Sequence, residues 1–214
     1  MSYVDLHVHS NASDGTLSPE QVVRLAHEAG LSAIALTDHD TTAGVAGAAE
    51  AGAELGLEVV PGIEVSSSFR DHEIHILGLF VNTDSPSLQA ALKEFRHHRD
   101  QRNQEMLGRF DAHGIHLTAE DLCAGNPDTV ITRAHVARAL LAKGLGPDLD
   151  HIFKKYLQYG GIYCPPKEFL PPEAVMEALL DSHAFVALAH PFQYKLGDKA
   201  TEELIAYLAG LGMK

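Results

Sequence analysis

Two histidines two positions apart, His7 and His9, are the first residues whose types and spacing could do chemistry. They lie at the end of a predicted strand, Tyr3–Val8, where side chains at positions i and i+2 point to the same side. Such a pair can bind one cation through neighbouring ring nitrogens. The alternative is two polar residues on a solvated strand face, which fits poorly because Val4 and Leu6 alternate the other way.

Other predicted strands also end in, or contain, a histidine or a carboxylate. The apolar run Ser32–Thr37 leads into Asp38, His39 and Asp40, at the carboxyl edge where barrel enzymes place their active residues. The alternative is that Asp38 or Asp40 caps the helix that follows. Glu64 lies among apolar neighbours in a third strand, and a buried carboxylate needs a partner, either a cation or an Arg or Lys.

Three further candidates are weak when each is taken alone. Asp14 lies among turn-forming residues, and His75 and His190 accompany apolar strands, where a lone histidine is usually a hydrogen-bonded core residue. The recurrence of such groups across several strands has more weight. Histidine nitrogen with carboxylate oxygen suits Mn, Fe or Zn, and the groups outnumber the ligands of one tetrahedral ion. The sequence therefore predicts two or three divalent cations, with Glu64 placed to bridge them.

The elements that position these groups alternate strand and helix over the first 80 residues. Ser18 is predicted to cap a helix, with Pro19 at its first position and Gln21 completing a capping box. Further strands are predicted at Leu57–Val65 and Glu73–Val81. This alternation predicts right-handed crossovers and a largely parallel sheet in an α/β fold.

The middle of the chain has a different pattern. A long helical pattern begins at Ser85 and continues to about His113, and shorter helical patterns follow it. We therefore predict a barrel domain formed by residues 1–95 and 169–214. Residues 96–168 are predicted to form a mostly helical insertion, which would act as a lid.

Composition limits the class of protein. Of the 214 residues, 45% are hydrophobic, which is enough for a proper core. The net charge of −13 makes duplex DNA or RNA a poor partner, whereas a small phosphorylated substrate stays compatible, because bound cations reverse the potential inside a pocket. Two cysteines outside any CxxC pair, no signal-peptide pattern and no long apolar run predict a cytoplasmic protein without a membrane span.

A series of motifs, in chain order HVHS…SDG, LTDHD, PGIEVS, HILG and AHP, resembles the PHP (polymerase and histidinol phosphatase) family of metal-dependent phosphoesterases. The segments ITRAHVA and KYL are similar to the subgroup that acts on nucleotides or the 5′ end of short RNA. The resemblance covers almost the whole chain and implies a distorted seven-stranded β/α barrel. It also implies metal ligation, usually around Mn, by His7, His9, Asp14, His39, Glu64, His75 and His190.

The resemblance gives a catalytic and substrate-binding role to Arg133 and His135, which would reach from the insertion over the cleft. The planar fork of Arg133 suits a phosphate oxygen. The alternative is a pair of surface residues at a helix start.

One expected segment is missing from the pattern. The family closes its site with a late Asp-x-His after a strand similar to GSDxH, and no such segment occurs before Lys214. The barrel is therefore expected to lack its last strands. The chain would then be a fragment, rely on a partner in an oligomer, or use a reduced metal set.

The predicted function is hydrolysis of a phosphate ester of a nucleotide or short oligonucleotide end by a metal-activated water. The first alternative is a C–N hydrolase of the amidohydrolase kind, which also begins with His-x-His on a barrel strand. That site often uses a modified Lys as a metal bridge, and no Lys occurs in the first 90 residues. The second alternative is a truncated module that binds metal or a nucleotide without turnover.

Overall fold

A five-stranded sheet organises the part of the chain that holds most of the candidate residues. In the computed structural model, which describes residues 3–70, 72–123, 126–166 and 168–214, its strands lie side by side in chain order. They form a curled half-barrel whose edges are the first and the last strand. The strands are β1 (Tyr3–Val8), β2 (Leu31–Leu36), β3 (Glu58–Phe69), β4 (His72–Leu79) and β5 (Phe185–Leu188).

The chain divides into two compact units, residues 1–95 with 169–214 and residues 96–168, and one long helix contributes residues to both units. Among the described residues, no helix combines the length and apolar character that a membrane crossing requires. The helices are α1 (Pro19–Glu28), α2 (Val45–Leu55), α3 (Pro86–Ala112), α4 (Ala119–Cys123), α5 (Arg133–Ala142), α6 (Leu149–Tyr156), α7 (Pro172–Asp181) and α8 (Asp198–Gly210).

The parallel half of the sheet consists of β1, β2 and β3, connected through α1 and α2. Ile34 and Leu36 of β2 are fully buried against apolar residues of both helices, as expected for a strand covered on its faces. The predicted capping box at the start of α1 is confirmed. The Ser18 backbone N–H donates to Gln21 Oε1 at 2.9 Å, and the Gln21 backbone N–H donates to Ser18 Oγ at 3.3 Å.

The sheet changes direction after β3, so the prediction of a largely parallel sheet is wrong beyond this strand. β3 continues past Val65 to Phe69, and β4 returns antiparallel to it, with Ser66 opposite His75. β5 is in turn antiparallel to β4. The predicted strand stopped at Val65, but Ser66 and Ser67 are buried and their backbone belongs to the hairpin.

The antiparallel half has its own core. Ile74 and Ile76 of β4 are fully buried with Val186 of β5, and α7 and α8 add Leu179 and Leu204 to the same cluster. Burying an aliphatic side chain contributes about 1.5–3 kcal/mol each relative to leaving it exposed. This cluster therefore fixes β4 and β5 beside β3. The last helix, α8, begins at Asp198.

The helical unit, residues 96–168, packs around a separate core. Phe110 of α3, Leu140 of α5 and Ile152 of α6 are fully buried in it. The last of these helices, α6, ends at Tyr156. The predicted role of this unit as a lid stays a prediction.

Candidate metal centre

A single buried carboxylate, that of Glu64 in β3, lies at the centre of a cluster of histidines. Its side chain is 1% exposed. Its Oε2 atom lies 3.2 Å from His7 Nε2 and 3.1 Å from His9 Nε2. The same oxygen lies 3.1 Å from His39 Nδ1. Three imidazoles from the parallel half of the sheet therefore converge on one oxygen.

The second oxygen of Glu64 faces the antiparallel half. Its Oε1 atom lies 3.1 Å from His75 Nδ1 and 2.8 Å from His190 Nε2. The two histidines also meet each other, with His75 Nδ1 3.3 Å from His190 Nε2. Because His75 pairs with Ser66 in the hairpin, its side chain lies on the same face as that of Glu64.

Backbone hydrogen bonds fix the loop after β2 beside Glu64. The Asp40 N–H donates to the Glu64 carbonyl at 2.9 Å, and the Glu64 N–H donates to the Asp38 carbonyl at 3.2 Å. His39, between them, forms an isolated parallel bridge with Glu64. Parallel pairing with β3 therefore continues past the end of β2 as far as His39, and this pairing fixes the position of His39 at the site.

The five imidazoles form a closed ring of neighbours around the carboxylate. Adjacent ring centroids lie 4.6 to 5.6 Å apart. The order around the ring is His7, His9, His39, His75, His190 and back to His7. Residues far apart in the sequence therefore share one small volume.

Asp14 completes the set on the side of the parallel half. Its Oδ1 atom lies 3.1 Å from His9 Nδ1, and its Oδ2 atom lies 3.5 Å from His39 Nε2. The structure therefore brings together all seven residues that the sequence analysis named as ligands. Their role in binding metal stays a prediction.

Asp38 holds the loop that carries Asp14. Its buried carboxylate accepts hydrogen bonds from Ser10 N at 2.8 Å, Ser10 Oγ at 2.6 Å and Ser13 Oγ at 2.6 Å. Burial raises the pKa of Asp38, and these hydrogen bonds oppose the rise. The interpretation of Asp38 as a helix cap is wrong, because α2 follows Gly44 without any side-chain cap.

Asp40 does not cap α2 either. Its Oδ1 atom accepts a hydrogen bond from the Ser66 N–H of β3 at 2.8 Å. The two residues that flank His39 therefore bind different elements. Asp38 accepts hydrogen bonds from the loop after β1, and Asp40 accepts one from β3. Sequence reasoning singled out both residues but missed these partners.

Glu73 is a further residue that sequence reasoning missed. Its Oε1 atom lies 3.4 Å from His75 Nε2, on the side of the ring away from the Glu64 contact. Histidines that bind metals usually give their other nitrogen to a carboxylate or carbonyl, which orients the ring. The only sequence signal was the position of Glu73 two residues before His75, on the same face of the strand.

Burial and charge act against each other in this cluster. Burial raises the pKa of Glu64, but its hydrogen bonds with His190, His7 and the other rings hold that pKa well below its usual range. Burial lowers the pKa of His9, but Asp14 and Glu64 outweigh it and raise the pKa to about 10. For His39 burial prevails and lowers the pKa to about 3. The pKa values of the neighbouring rings thus move in opposite directions, chiefly because burial prevails at His39, with repulsion from His75 and His9 as a smaller contribution.

The donor set fits divalent cations. His39 Nδ1 is buried and has no hydrogen bond, since its 3.1 Å approach to Glu64 lacks hydrogen-bond geometry. Such an unsatisfied atom costs about 1–3 kcal/mol, which coordination would remove. Two groups share Glu64, one with His7 and His190 and the other with His9 and His39, and the ligand atoms of each lie within 4.8 Å of one another. Nitrogen and carboxylate donors of this kind suit Zn, Mn or Fe.

Arg133 and His135 belong to the helical unit and lie in the first turn of α5. The Arg133 guanidinium lies 3.8 Å from the ring centroid of Tyr159 and donates to the Leu157 carbonyl at 3.2 Å. His135 is buried, and its Nδ1 accepts from the Thr132 N–H at 3.0 Å. The alternative of a surface position is therefore wrong for His135. The substrate-binding role of both residues stays a prediction.

Comparison with known proteins agrees with this arrangement. Residues 5–163 match the model of the PHP domain. The chain is 36% identical over 210 residues to the 5′-3′ exoribonuclease Rnm of Escherichia coli strain K12, covering 96% of the chain and 71% of that protein. It is 35% identical over 207 residues to a 3′,5′-nucleoside bisphosphate phosphatase of Chromobacterium violaceum, covering 96% of the chain and 72% of the relative.

A solved structure shares the fold over nearly the whole chain. It is that of an amidohydrolase from Chromobacterium violaceum, with bound sulfate and no metal. The TM-score is 0.92 at 34% identity, and the match covers 99% of this chain and 75% of the other. Together with the match to the family model and the two relatives, this likeness shows that the chain belongs to the PHP domain family.

Proposed function

We propose that this chain is a metal-dependent phosphoesterase that hydrolyses a phosphate ester of a nucleotide or of a short oligonucleotide end. The observation that carries the proposal is the convergence of five imidazoles and Asp14 on the buried carboxylate of Glu64. The exoribonuclease and the bisphosphate phosphatase named above both act on phosphate esters of nucleotides.

Two or three divalent cations fit this donor set, with Mn favoured and Fe or Zn as the other choices. They would be held by His7, His9, Asp14, His39, Glu64, His75 and His190. When bound, such cations polarise a phosphoryl group and lower the pKa of a coordinated water. Glu64 supports a bridging role, because each of its oxygens faces a different set of rings.

The protein's own residues orient the reaction. Burial of Glu64 keeps the charge of the carboxylate unscreened by solvent, so that it attracts cations strongly. Asp14 contacts His9 and His39 and so keeps their rings turned towards the cluster. With cations bound, the potential inside the site would turn positive and attract an anionic substrate, although the chain as a whole has a net charge of −13.

Arg133 is proposed to bind the phosphate group of the substrate, with His135 beside it. Stacking on Tyr159 and the hydrogen bond to Leu157 restrict the guanidinium to one orientation. A restricted side chain loses less conformational entropy when a phosphate binds. The N-terminal end of α5, where both residues lie, also favours an anion.

A C–N hydrolase remains the second candidate, because the similar Chromobacterium violaceum structure is named an amidohydrolase. The central position here is occupied by Glu64, and within the described part of the chain its ion-pair partners are histidines. This arrangement favours phosphate chemistry over a site bridged by a modified Lys. The sulfate in that structure has the charge and shape of a phosphoryl group.

The test compares product release and metal content in one protein preparation. Purified chain, freed of metal with chelator and reloaded with Mn, is assayed for phosphate release from a nucleoside 3′,5′-bisphosphate and a 5′-phosphorylated oligonucleotide. Ammonia release is measured over a panel of amides. We expect phosphate release alone, lost in EDTA and reduced more than about 100-fold in His39→Ala.

A matched control is His183→Ala, an exposed histidine of the same unit that lies outside the cluster. It should leave both turnover and metal content unchanged. Full phosphate release in EDTA, or ammonia as the product, would contradict the proposal. Bound metal without any turnover would favour the non-catalytic module.

A further inference from the structure

The strand that delivers His190 ends in an unusual way. After β5, the Ala189 N–H still donates to the His75 carbonyl at 3.0 Å, as the next rung of the ladder with β4. His190 then has φ 26° and ψ 58°, a left-handed backbone conformation that residues other than Gly rarely adopt. The chain leaves the sheet at this residue and enters a 3-10 turn, Pro191–Tyr194. The ladder therefore stops beside the metal centre.

The hydroxyl of Tyr194 takes the place of the missing rung. It accepts a hydrogen bond from the His75 N–H at 2.9 Å and donates to the Ala189 carbonyl at 2.7 Å. Both groups would otherwise lose their partners where β5 turns away, and unsatisfied backbone groups are rarely tolerated in the interior. The hydroxyl thus ties the turn after His190 back to the strand that carries His75.

Within the described part of the chain, no carboxylate contacts the ring of His190 on the side away from Glu64. His9 and His75 each contact a carboxylate through the nitrogen that points away from their Glu64 contact, Asp14 and Glu73 respectively. The corresponding atom of His190, Nδ1, is buried without a hydrogen bond. Besides its neighbours His7 and His75, the orientation of this ring therefore depends on its backbone conformation and on the ring of Tyr194, which packs edge-on at 5.5 Å between centroids.

We propose that Tyr194 is a positioning residue of the metal centre, which holds His190 in its left-handed conformation and aims its Nε2 at Glu64. The inference rests on the proposed metal binding and adds a residue to it. Tyr194 acts through His190 and needs no contact with cation or substrate. Its hydroxyl matters more than its ring, because the hydroxyl makes the two contacts to the strands.

The test is the Tyr194→Phe variant, with Tyr207→Phe as a matched control. Tyr207 belongs to the same unit, and its hydroxyl donates to the exposed Glu173 at 2.5 Å. Metal-free proteins are titrated with Mn, and His190→Ala serves as the reference for loss of this ligand. We expect Tyr194→Phe to weaken part of the Mn binding about 10–100-fold, as His190→Ala does, while Tyr207→Phe binds like the wild type.

The Mn titration distinguishes failure of the proposed metal centre from failure of the role of Tyr194. If the wild type binds no Mn, both the metal centre and the role of Tyr194 are overturned. If the wild type binds Mn and Tyr194→Phe binds it equally well, the role of Tyr194 alone is overturned. A uniform loss of all Mn binding, matched by the same loss in Tyr207→Phe, also overturns it.

If Tyr194→Phe does not fold, amide hydrogen exchange in the wild-type protein tests the same hydrogen bond. The His75 amide should exchange slowly with deuterated solvent, because it donates to the Tyr194 hydroxyl in the folded protein. Exchange of this amide as fast as that of an exposed loop residue would contradict the inference.

Discussion

The parallel half of the sheet, β1 to β3, and the antiparallel half, β3 to β5, bring their histidines to Glu64 by different routes. In the parallel half, His7, His9 and His39 lie at or just after the carboxyl ends of adjacent strands, where such ends meet at one edge. In the antiparallel half, His75 comes from within β4 and His190 follows a left-handed turn. The first route follows from strand direction alone, whereas the second depends on particular contacts.

The two halves also differ in how their histidines are held. The loop of the parallel half is held by three hydrogen bonds to Asp38 and by the backbone bridge of His39 to Glu64. The antiparallel half relies on Glu73 and on one tyrosine hydroxyl. The comparison shows that one carboxylate can contact two sets of histidines that are held in place by separate contacts. A substitution in one half should therefore disturb the histidines of that half more than those of the other half.

The largest effect is expected from Glu64→Gln, because this residue belongs to both halves. The amide keeps the shape but removes the charge that faces all five rings. Metal content should fall to below one ion per chain, and phosphate release should fall more than about 100-fold. Metal analysis and the phosphate assay measure both. Retention of one tightly bound ion would show that one half binds metal without Glu64.

Asp38→Ala should affect the parallel half next most strongly. It leaves the Ser10 N–H and the hydroxyls of Ser10 and Ser13 without their acceptor, so the free energy of unfolding should fall by about 3 kcal/mol. Urea denaturation of metal-free protein measures this. Asp38→Asn, which keeps an acceptor oxygen, should lose less. Equal losses in the two variants would show that the hydrogen bonds contribute little.

Glu73→Gln tests the antiparallel half with a smaller change. Weakening the contact to His75 Nε2 should lower Mn affinity about 10-fold and leave the stability of the metal-free protein nearly unchanged. Titration with Mn measures the first and thermal unfolding the second. A fall in stability without a change in affinity would assign Glu73 a structural role only.

The smallest effect is expected from Ser18→Ala, which lies in neither set of ligands. Loss of the capping box at the start of α1 should lower the free energy of unfolding by about 1 kcal/mol. Mn affinity should not change. A change in affinity would mean that the first helix transmits strain to the cluster, which would blur the distinction between the two halves.

The sequence predicted the parallel half better than the antiparallel half, for a physical reason. The ends of β1 and β2 can be recognised from short apolar runs in the local sequence. His7, His9 and His39 could therefore be predicted to lie at strand ends. The hairpin of β3 and β4 was missed, because the predicted strand stopped at Val65, whereas Ser66 and Ser67 are kept in the sheet by pairing with β4 and by burial against distant residues. Tertiary packing here overrides local preference.

The contacts that hold the proposed ligands in place could not be predicted from the sequence either, because they also depend on tertiary packing. Asp38 meets Ser10 across 28 residues, and Tyr194 meets His75 across 119 residues. No periodicity links such pairs. His75 and His190 were assigned to the site through the recurrence of such groups across several strands and through the family resemblance, since each alone resembled a hydrogen-bonded core histidine.

The position of Glu64 between two sets of rings has a consequence for occupancy. One oxygen faces His9 and His39 while the other faces His190. A cation bound on either side would draw on the same negative charge, so filling one side must change the affinity of the other by an equal and reciprocal factor. The Mn binding isotherm should then depart from that of independent sites, and Glu64→Asp, which shortens the bridge, should alter this cooperativity.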